Sequence, residues 1–183
     1  VGISIPTLCH DSRVSDSASC RLCVVKVDGR RLPVASCAQQ LEAGMEVTTH
    51  DADLDAWRST VVALVLSENP EPEEESTRCI ELGPCALHTL AGQVGASPDP
   101  FSGTVSGIRP DDSNPFILRD YTRCISCYLC TRVCDEVEQA HAITSAGRGF
   151  QTRIATPFDS GLQDSPCTFC GQCIQVCPTG ALV

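Results

Sequence analysis

Twelve of the fourteen cysteines fall into three sets of four. The first is Cys9, Cys20, Cys23 and Cys37, with ten, two and thirteen residues between them. The second is Cys124, Cys127, Cys130 and Cys134, and the third is Cys167, Cys170, Cys173 and Cys177, each with gaps of two, two and three. Thiolate is the ligand that iron–sulfur clusters require, and four thiolates complete a [2Fe–2S] or a [4Fe–4S] core. A two-two-three run sets three sulfurs around one core and sends the fourth away. In two-cluster ferredoxins that fourth cysteine ligates the other cluster. The expectation is therefore crossed: Cys124, Cys127, Cys130 and Cys177 around one [4Fe–4S] core, and Cys134, Cys167, Cys170 and Cys173 around another.

Two other uses of so many thiols compete with this reading. A disulfide framework suits an even count, but paired triplets resemble no secreted scaffold, and pairing within a CxxCxxC group would be strained. Structural zinc uses CxxC pairs as readily as iron does. It wants two well-separated pairs, however, and a CxxCxxCxxxC run puts its third and fourth thiols in the wrong places.

Composition agrees with a metal-dependent fold. In 183 residues the aromatic content is 4%, too low for a large independent core, so metal must supply much of the folding free energy. The longest apolar run, Val61 to Leu66, is far short of a membrane span, and no signal peptide is visible, which points to a cytoplasmic protein. Formal charge is −10. Three oxidised clusters inside thiolate cages would take it to roughly −16, an unfavourable surface for nucleic acid. No GxGxxG follows a strand, and no HExxH or triad pattern occurs, so no substrate chemistry of the chain's own is evident.

The elements that must hold these thiols follow from pattern. Val24 to Val27 and Leu32 to Val34 flank Asp28-Gly29, a hairpin signal, and Glu46 to Thr49 after Gly44 reads as a third strand. From Asp51, a good N-cap, Leu54, Trp57, Val61, Leu64 and Val65 recur at three and four residues as one helix face, with Trp57 as core anchor. The CxxCxxCxxxC run repeats at an offset of forty-three residues, as in a pseudo-twofold ferredoxin. Each run is expected to enter a helix at its last cysteine, Val133 and Ile174 onward. Strands are expected over Ala142 to Thr144 and Phe150 to Ile154.

The first cysteine set, preceded by IPTLC and containing SCRLCVVKVDG, resembles a family domain. It is the one that opens the large peripheral subunit of respiratory complex I, NAD-reducing and iron-only hydrogenases, and NAD-dependent formate dehydrogenase α subunits. The resemblance implies a β-grasp fold and a [2Fe–2S] cluster on Cys9, Cys20, Cys23 and Cys37. Only eight residues precede Cys9, where the family has a hairpin and part of a helix, which reads as an excerpt of a longer chain. The family continues with a His/Cys/Cys/Cys segment holding a further [4Fe–4S] cluster. Here Asn69 stands where the His would, Glu71 to Ser76 is acidic, and only Cys79 and Cys85 keep the spacing. That cluster is expected to be missing, with Cys79 and Cys85 left as packing residues on a short helix around Pro84 to Ala91. A local disulfide or zinc site, with His88 nearby, is the minor option. Gly92 to Pro115 reads as an irregular linker.

The stretch from Arg123 to Ile154, including GRGF at Gly147 to Phe150, is most similar to formate dehydrogenase α subunits. The expected architecture is α+β: a β-grasp [2Fe–2S] ferredoxin domain over residues 1–70, a degenerate segment and linker over 71–115, and a bacterial-type two-[4Fe–4S] ferredoxin domain over 116–183. The implied role is electron transfer between a flavin/NAD-binding subunit and a catalytic molybdopterin or hydrogenase partner. Formate dehydrogenase is the first choice for that complex and the diaphorase side of an NAD-linked hydrogenase the second. An iron–sulfur redox sensor is the alternative of another class.

Overall fold

The computed structural model describes residues 2–69 and 84–183. Its first half is built on a three-stranded antiparallel sheet in the order β2-β1-β3, with β1 at Val24–Val27, β2 at Val34–Ala35 and β3 at Val47–Thr48. Val25 pairs with Val34, and Val27 with Val47. The β1–β2 hairpin forms as the Asp-Gly signal predicts, but through a longer connection. Only Gly29 takes positive φ (+75°), and Arg30 N–H closes a four-residue turn on Val27 C=O at 3.0 Å. That geometry asks for glycine at the third turn position alone.

Helix α1, Ala52–Ser67, starts where expected: Asp51 Oδ1 accepts from Leu54 N–H at 2.9 Å. Its buried face differs from the sequence reading. Leu54, Arg58, Val62 and Ala63 are buried, whereas Trp57 is 44% exposed and Leu64 is exposed as well. Trp57 is thus not the core anchor. The inward position one residue on belongs to Arg58, whose guanidinium donates to Leu22 C=O (3.3 Å), Val24 C=O (2.9 Å) and Thr49 C=O (2.8 Å). Helix α2, Ala86–Val94, ends on Gly95 in the left-handed conformation and lays Leu87, Leu90 and Ala91 against Leu8, Leu22 and Val62. Residues 96–110 carry no regular element, in keeping with the linker composition.

The second half is organised around sulfur. Helix α3 (Leu129–Arg132) runs into a π-turn over Val133–Val137, and α4 (Gln172–Gln175) is its counterpart. Both helices begin earlier than expected, directly after the second cysteine of each run. The cause is a left-handed residue at each N-cap, Tyr128 (φ +59°) and Gly171 (φ +73°), which turns the chain immediately past Cys127 and Cys170. Strands β4 (Thr144–Ala146) and β5 (Arg153–Ala155) pair antiparallel, Ser145 opposite Ile154. The strands, by contrast, start later than expected. Ala142 N–H is committed to Cys134 Sγ at 3.4 Å, and Phe150 lies in a 3-10 turn, so neither joins the ladder. Residues 118–120 pair with 181–183, closing the chain end onto this half. The core here is Ile117, Cys130, Ile143, Ile154, Leu162 and Leu182, packed on Cys124, Cys134, Cys167, Cys173 and Cys177; Phe116, Phe150 and Phe158 stay exposed. Aliphatic residues and thiols make this core, which answers the low aromatic content.

Candidate metal centres

In the first set the thiols gather as two pairs. Cys9 and Cys20 are joined by a thiol hydrogen bond, with Cys20 N–H also donating to Cys9 Sγ at 3.3 Å, and Cys23 Sγ lies 3.5 Å from Cys37 Sγ. With metal–sulfur bonds of about 2.3 Å, two thiolates on one tetrahedral ion stand roughly 3.8 Å apart. The Cys23–Cys37 pair therefore has the span of one metal ion. Among the described residues no three His, Cys, Asp or Glu side chains converge on a single-ion position. Two pairs side by side suit a binuclear core.

The loop from Cys9 to Cys20 lines this site with donors, as its composition suggests. The bond from Cys20 holds the Cys9 thiol well below its ordinary pKa against the effect of burial, and Ser19 and Ser17 hydroxyls add to it. The Cys20 thiol is pushed up by Cys9 and by burial. Burial, then Cys23, raises Cys37. Ala18 and Arg21, on either side of the Ser19-Cys20 pair, both take positive φ, which bends the loop around the sulfur.

In the second half, two cavities are each walled by thiols from both runs. The first is lined by Cys124, Cys127, Cys130 and Cys177. The second is lined by Cys134, Cys167, Cys170 and Cys173. The pseudo-twofold repeat extends to the backbone: Ser126 and Tyr128 around Cys127, and Phe169 and Gly171 around Cys170, all have positive φ. Left-handed residues on both sides of a cysteine swing neighbouring N–H groups toward sulfur. Phe169 N–H reaches Cys167 Sγ at 3.4 Å, and Leu129 and Ser126 N–H groups donate to Cys127 and Cys124. Desolvation pushes the Cys127 thiol up to about 12, Cys173 up to about 11, and Cys130 well above the ordinary value. Thiols so buried become anions only where a cation replaces their protons. The cavities and their donors fit iron–sulfur cores, whose chemistry when bound is one-electron transfer.

The first site abuts the first cavity. Arg132, at the end of α3, donates Nη2 to Cys9 C=O at 2.7 Å and to Cys127 C=O at 3.3 Å, Nε to Tyr128 C=O, and Nη1 to Ser15 C=O. Glu136 accepts from both Ser15 N–H and its hydroxyl at 2.6 Å, and Ser19 Oγ donates to Cys127 C=O at 3.3 Å. One guanidinium thus bridges the carbonyls of two cysteines from different thiol sets. Sequence reasoning missed it, although a basic residue two positions past a CxxCxxC triplet was the available signal. Replacing Arg132 by Ala removes charge-assisted bonds of about 1.5 kcal/mol or more, a shift of roughly tenfold or more between docked and separated arrangements. In the iron-loaded protein, the magnetic coupling between the first centre and its neighbour should weaken and transfer between them should slow. Pulsed paramagnetic resonance and flash-reduction kinetics check this; unchanged coupling and rate would remove Arg132 from the joint.

In the middle segment, Cys79 and Glu71 to Ser76 lie outside the described residues. Cys85 is the N-cap of α2, its Sγ 3.2 Å from His88 Nδ1. Asn69 is buried and donates Nδ2 to Arg123 C=O at 3.5 Å, a tie from the end of α1 to the second half.

Fold and thiol geometry together define an iron–sulfur protein with two ferredoxin-like parts. Residues 1–52 match the 2Fe-2S iron-sulfur cluster binding domain family, and residues 114–183 match the family described as NADH-quinone oxidoreductase subunit 3, ferredoxin-like domain. The chain is 39% identical to the NADP-reducing hydrogenase subunit HndD of Solidesulfovibrio fructosivorans over 99% of its length and 31% of the relative's. It is 32% identical to the NADH-ubiquinone oxidoreductase 75 kDa subunit of Reclinomonas americana over 100% of its length and 26% of the relative's. The crystal structure of an NAD+-reducing [NiFe]-hydrogenase in the H2-reduced state superposes with TM-score 0.85 at 31% identity, covering 98% of this chain and 74% of that one. The chain belongs to the iron–sulfur family that contains the 75 kDa subunits of NADH-quinone oxidoreductases and the corresponding parts of NAD(P)-linked hydrogenases. It spans 26–31% of the length of the two curated relatives named. Among the described residues no helix is long and apolar enough to cross a membrane.

Proposed function

We propose that this chain is an electron relay with three centres. A [2Fe–2S] centre is held by Cys9, Cys20, Cys23 and Cys37 in a β-grasp domain over residues 1–70. After the linker of 71–115, a two-cluster domain over 116–183 holds one [4Fe–4S] centre on Cys124, Cys127, Cys130 and Cys177 and another on Cys134, Cys167, Cys170 and Cys173. The observation that carries the reading is the docking of the Cys9–Cys20 loop onto the Cys127 loop through Arg132, because a relay needs its centres in contact and a sensor with one labile cluster does not. N–H groups aimed at sulfur, buried thiols and a narrow surround are the means by which the protein sets potentials.

The flanking partners in this reading are a flavin/NAD-binding subunit on one side and a catalytic centre on the other. A hydrogenase fits the relatives best, since HndD and the superposed [NiFe]-hydrogenase carry that activity in their names. The formate dehydrogenase alternative leans on the stretch from Arg123 to Ile154, GRGF included. Local sterics account for its first glycine, because a Cβ at Gly147 (φ +78°) would run into Gln151 C=O. Iron and acid-labile sulfide analysis of the anaerobically reconstituted chain should give about ten irons, two from the first set and eight from the crossed pair. A value near six would eliminate one of the two cubane centres, and one near fourteen would reinstate the cluster of the middle segment.

A further inference from the structure

The two cavities of the C-terminal half differ in one buried charge. Residues 118–120 form a short strand: Leu118 exchanges both backbone bonds with Val183 (2.7 and 3.2 Å), and Arg119 bridges Leu182 on one side and Asp111 on the other. Alternation along a strand puts Ile117 and Arg119 on the same face. Both are buried, at 4% and 5% exposure; Ile117 lines the second cavity and Arg119 the first. Arg119 gives Nε (3.0 Å) and Nη2 to Asp111 Oδ2. Its Nη1 is buried with no acceptor among the described residues. A buried donor left unpaired is expensive and calls for an explanation. The acceptors that an iron–sulfur core brings to this cavity are sulfurs. The first cavity is also lined by Asp120, whose carboxylate accepts from Thr122 N–H and hydroxyl and from Arg123 Nε. Among the described residues the second cavity has no cation in its lining, and its charged side chain is Glu138, which accepts from Thr168 Oγ1 at 2.7 Å.

We infer that Arg119 sets the two [4Fe–4S] centres apart in potential: its Nη1–H donates to a sulfur of the centre held by Cys124, Cys127, Cys130 and Cys177, making that centre the easier of the two to reduce. The inference rests on the ligation proposed above. An added electron makes a thiolate-ligated core more negative, so a guanidinium proton on its sulfur favours the reduced form, and a carboxylate beside the other core opposes it. Asp111 withdraws part of that field. Removing Arg119 and removing Asp111 must therefore shift the first centre in opposite directions.

Paramagnetic-resonance redox titration of the iron-loaded chain tests this, with Arg119→Gln and Asp111→Asn beside the parent. The two four-iron signals are assigned by Cys134→Ser, which under the crossed ligation loses only the second. In Arg119→Gln the reduced-to-oxidised ratio of the first centre at the parent midpoint should fall about tenfold, equal to 59 mV for one electron. In Asp111→Asn the ratio should rise, and the second centre should stay in place in both. Guanidino-¹⁵N labelling of the parent should give a nitrogen coupling to the reduced first centre. A residue that only braces the fold would weaken both variants alike and leave potentials unmoved or moved in the same direction, which overturns the inference. Should Arg119→Gln fail to assemble its centre, Asp111→Asn and the ¹⁵N coupling still decide, and no coupling at the first centre also overturns it. If two four-iron signals are absent from the parent, the ligation reading is what has failed.

Discussion

Cys134→Ser should empty the centre whose other three ligands lie more than thirty residues away and leave the centre beside it loaded. Cys134 follows Cys130 by four residues, yet the two thiols line different cavities: Cys130 the first, with Cys177, and Cys134 the second, with Cys167, Cys170 and Cys173. The π-turn over Val133–Val137 explains how neighbours diverge. It widens the helix after α3, and Cys134 C=O accepts from Ala140 N–H while Ala142 N–H closes on its sulfur, so the thiol is drawn toward the β4 side. Serine keeps the size but offers a hard, mostly protonated oxygen where a soft thiolate is needed, and a [4Fe–4S] core lacking one of four ligands should be lost or degraded to fewer irons. The expected result is a loss of about four irons from about ten, with the first centre's spectrum intact. Cys177→Ser should give the mirror outcome. Loss confined to the centre of Cys124, Cys127 and Cys130 in the Cys134 variant would mean that each run ligates its own cluster.

The cysteine spacing made the thiol groups legible because gaps of two, two and three are a local property of the chain. That Cys134 lines a cavity with a run more than thirty residues away was legible only through the rule that the fourth cysteine of a two-cluster ferredoxin serves the other cluster. What the sequence concealed was the part played by arginine. A charge on an apolar helix face violates amphipathic periodicity, so a pattern search passes over Arg58 and selects Trp57, the large apolar neighbour. The correct face follows only when carbonyl groups that need a donor are known, and those belong to Val24 in β1, to Leu22 two residues before it and to Thr49 just past β3. Arg119 and Arg132 escaped for the same reason: their partners are backbone oxygens, a carboxylate and a cavity brought close by tertiary structure. The early helix starts at Leu129 and Gln172 were hidden because Tyr128 takes a left-handed conformation uncommon for an aromatic residue, and only its counterpart Gly171 advertises the turn.

Arg58 carries the other large expected effect, because it braces the strand that presents Cys23. Its nitrogens reach the carbonyls of Leu22 and Val24, on either side of that cysteine, and of Thr49 just past β3, while the side chain is 2% exposed. Asp55, at 3.4 Å, is a weak and mostly exposed counter-ion, so most of the guanidinium's partners are uncharged oxygens. Arg58→Leu fills similar space and removes the charge, but leaves three carbonyls without their donor, each a loss of about 1–3 kcal/mol where water cannot replace it. A net destabilisation of about 3 kcal/mol is the conservative sum, with Arg58→Lys intermediate because one ammonium cannot span three acceptors in a rigid fork. The damage should be local. Cys23 and its partner Cys37 share one edge of the first thiol set, so iron should leave the first centre while the eight irons of the crossed pair stay. Iron release to a chelator at fixed temperature, followed by the distinct spectra of the centres, measures this better than a single unfolding midpoint, since bound cofactors break two-state behaviour. Equal release from all centres would make Arg58 a general stabiliser, and release indistinguishable from the parent would show that solvent or a neighbouring group satisfies those carbonyls.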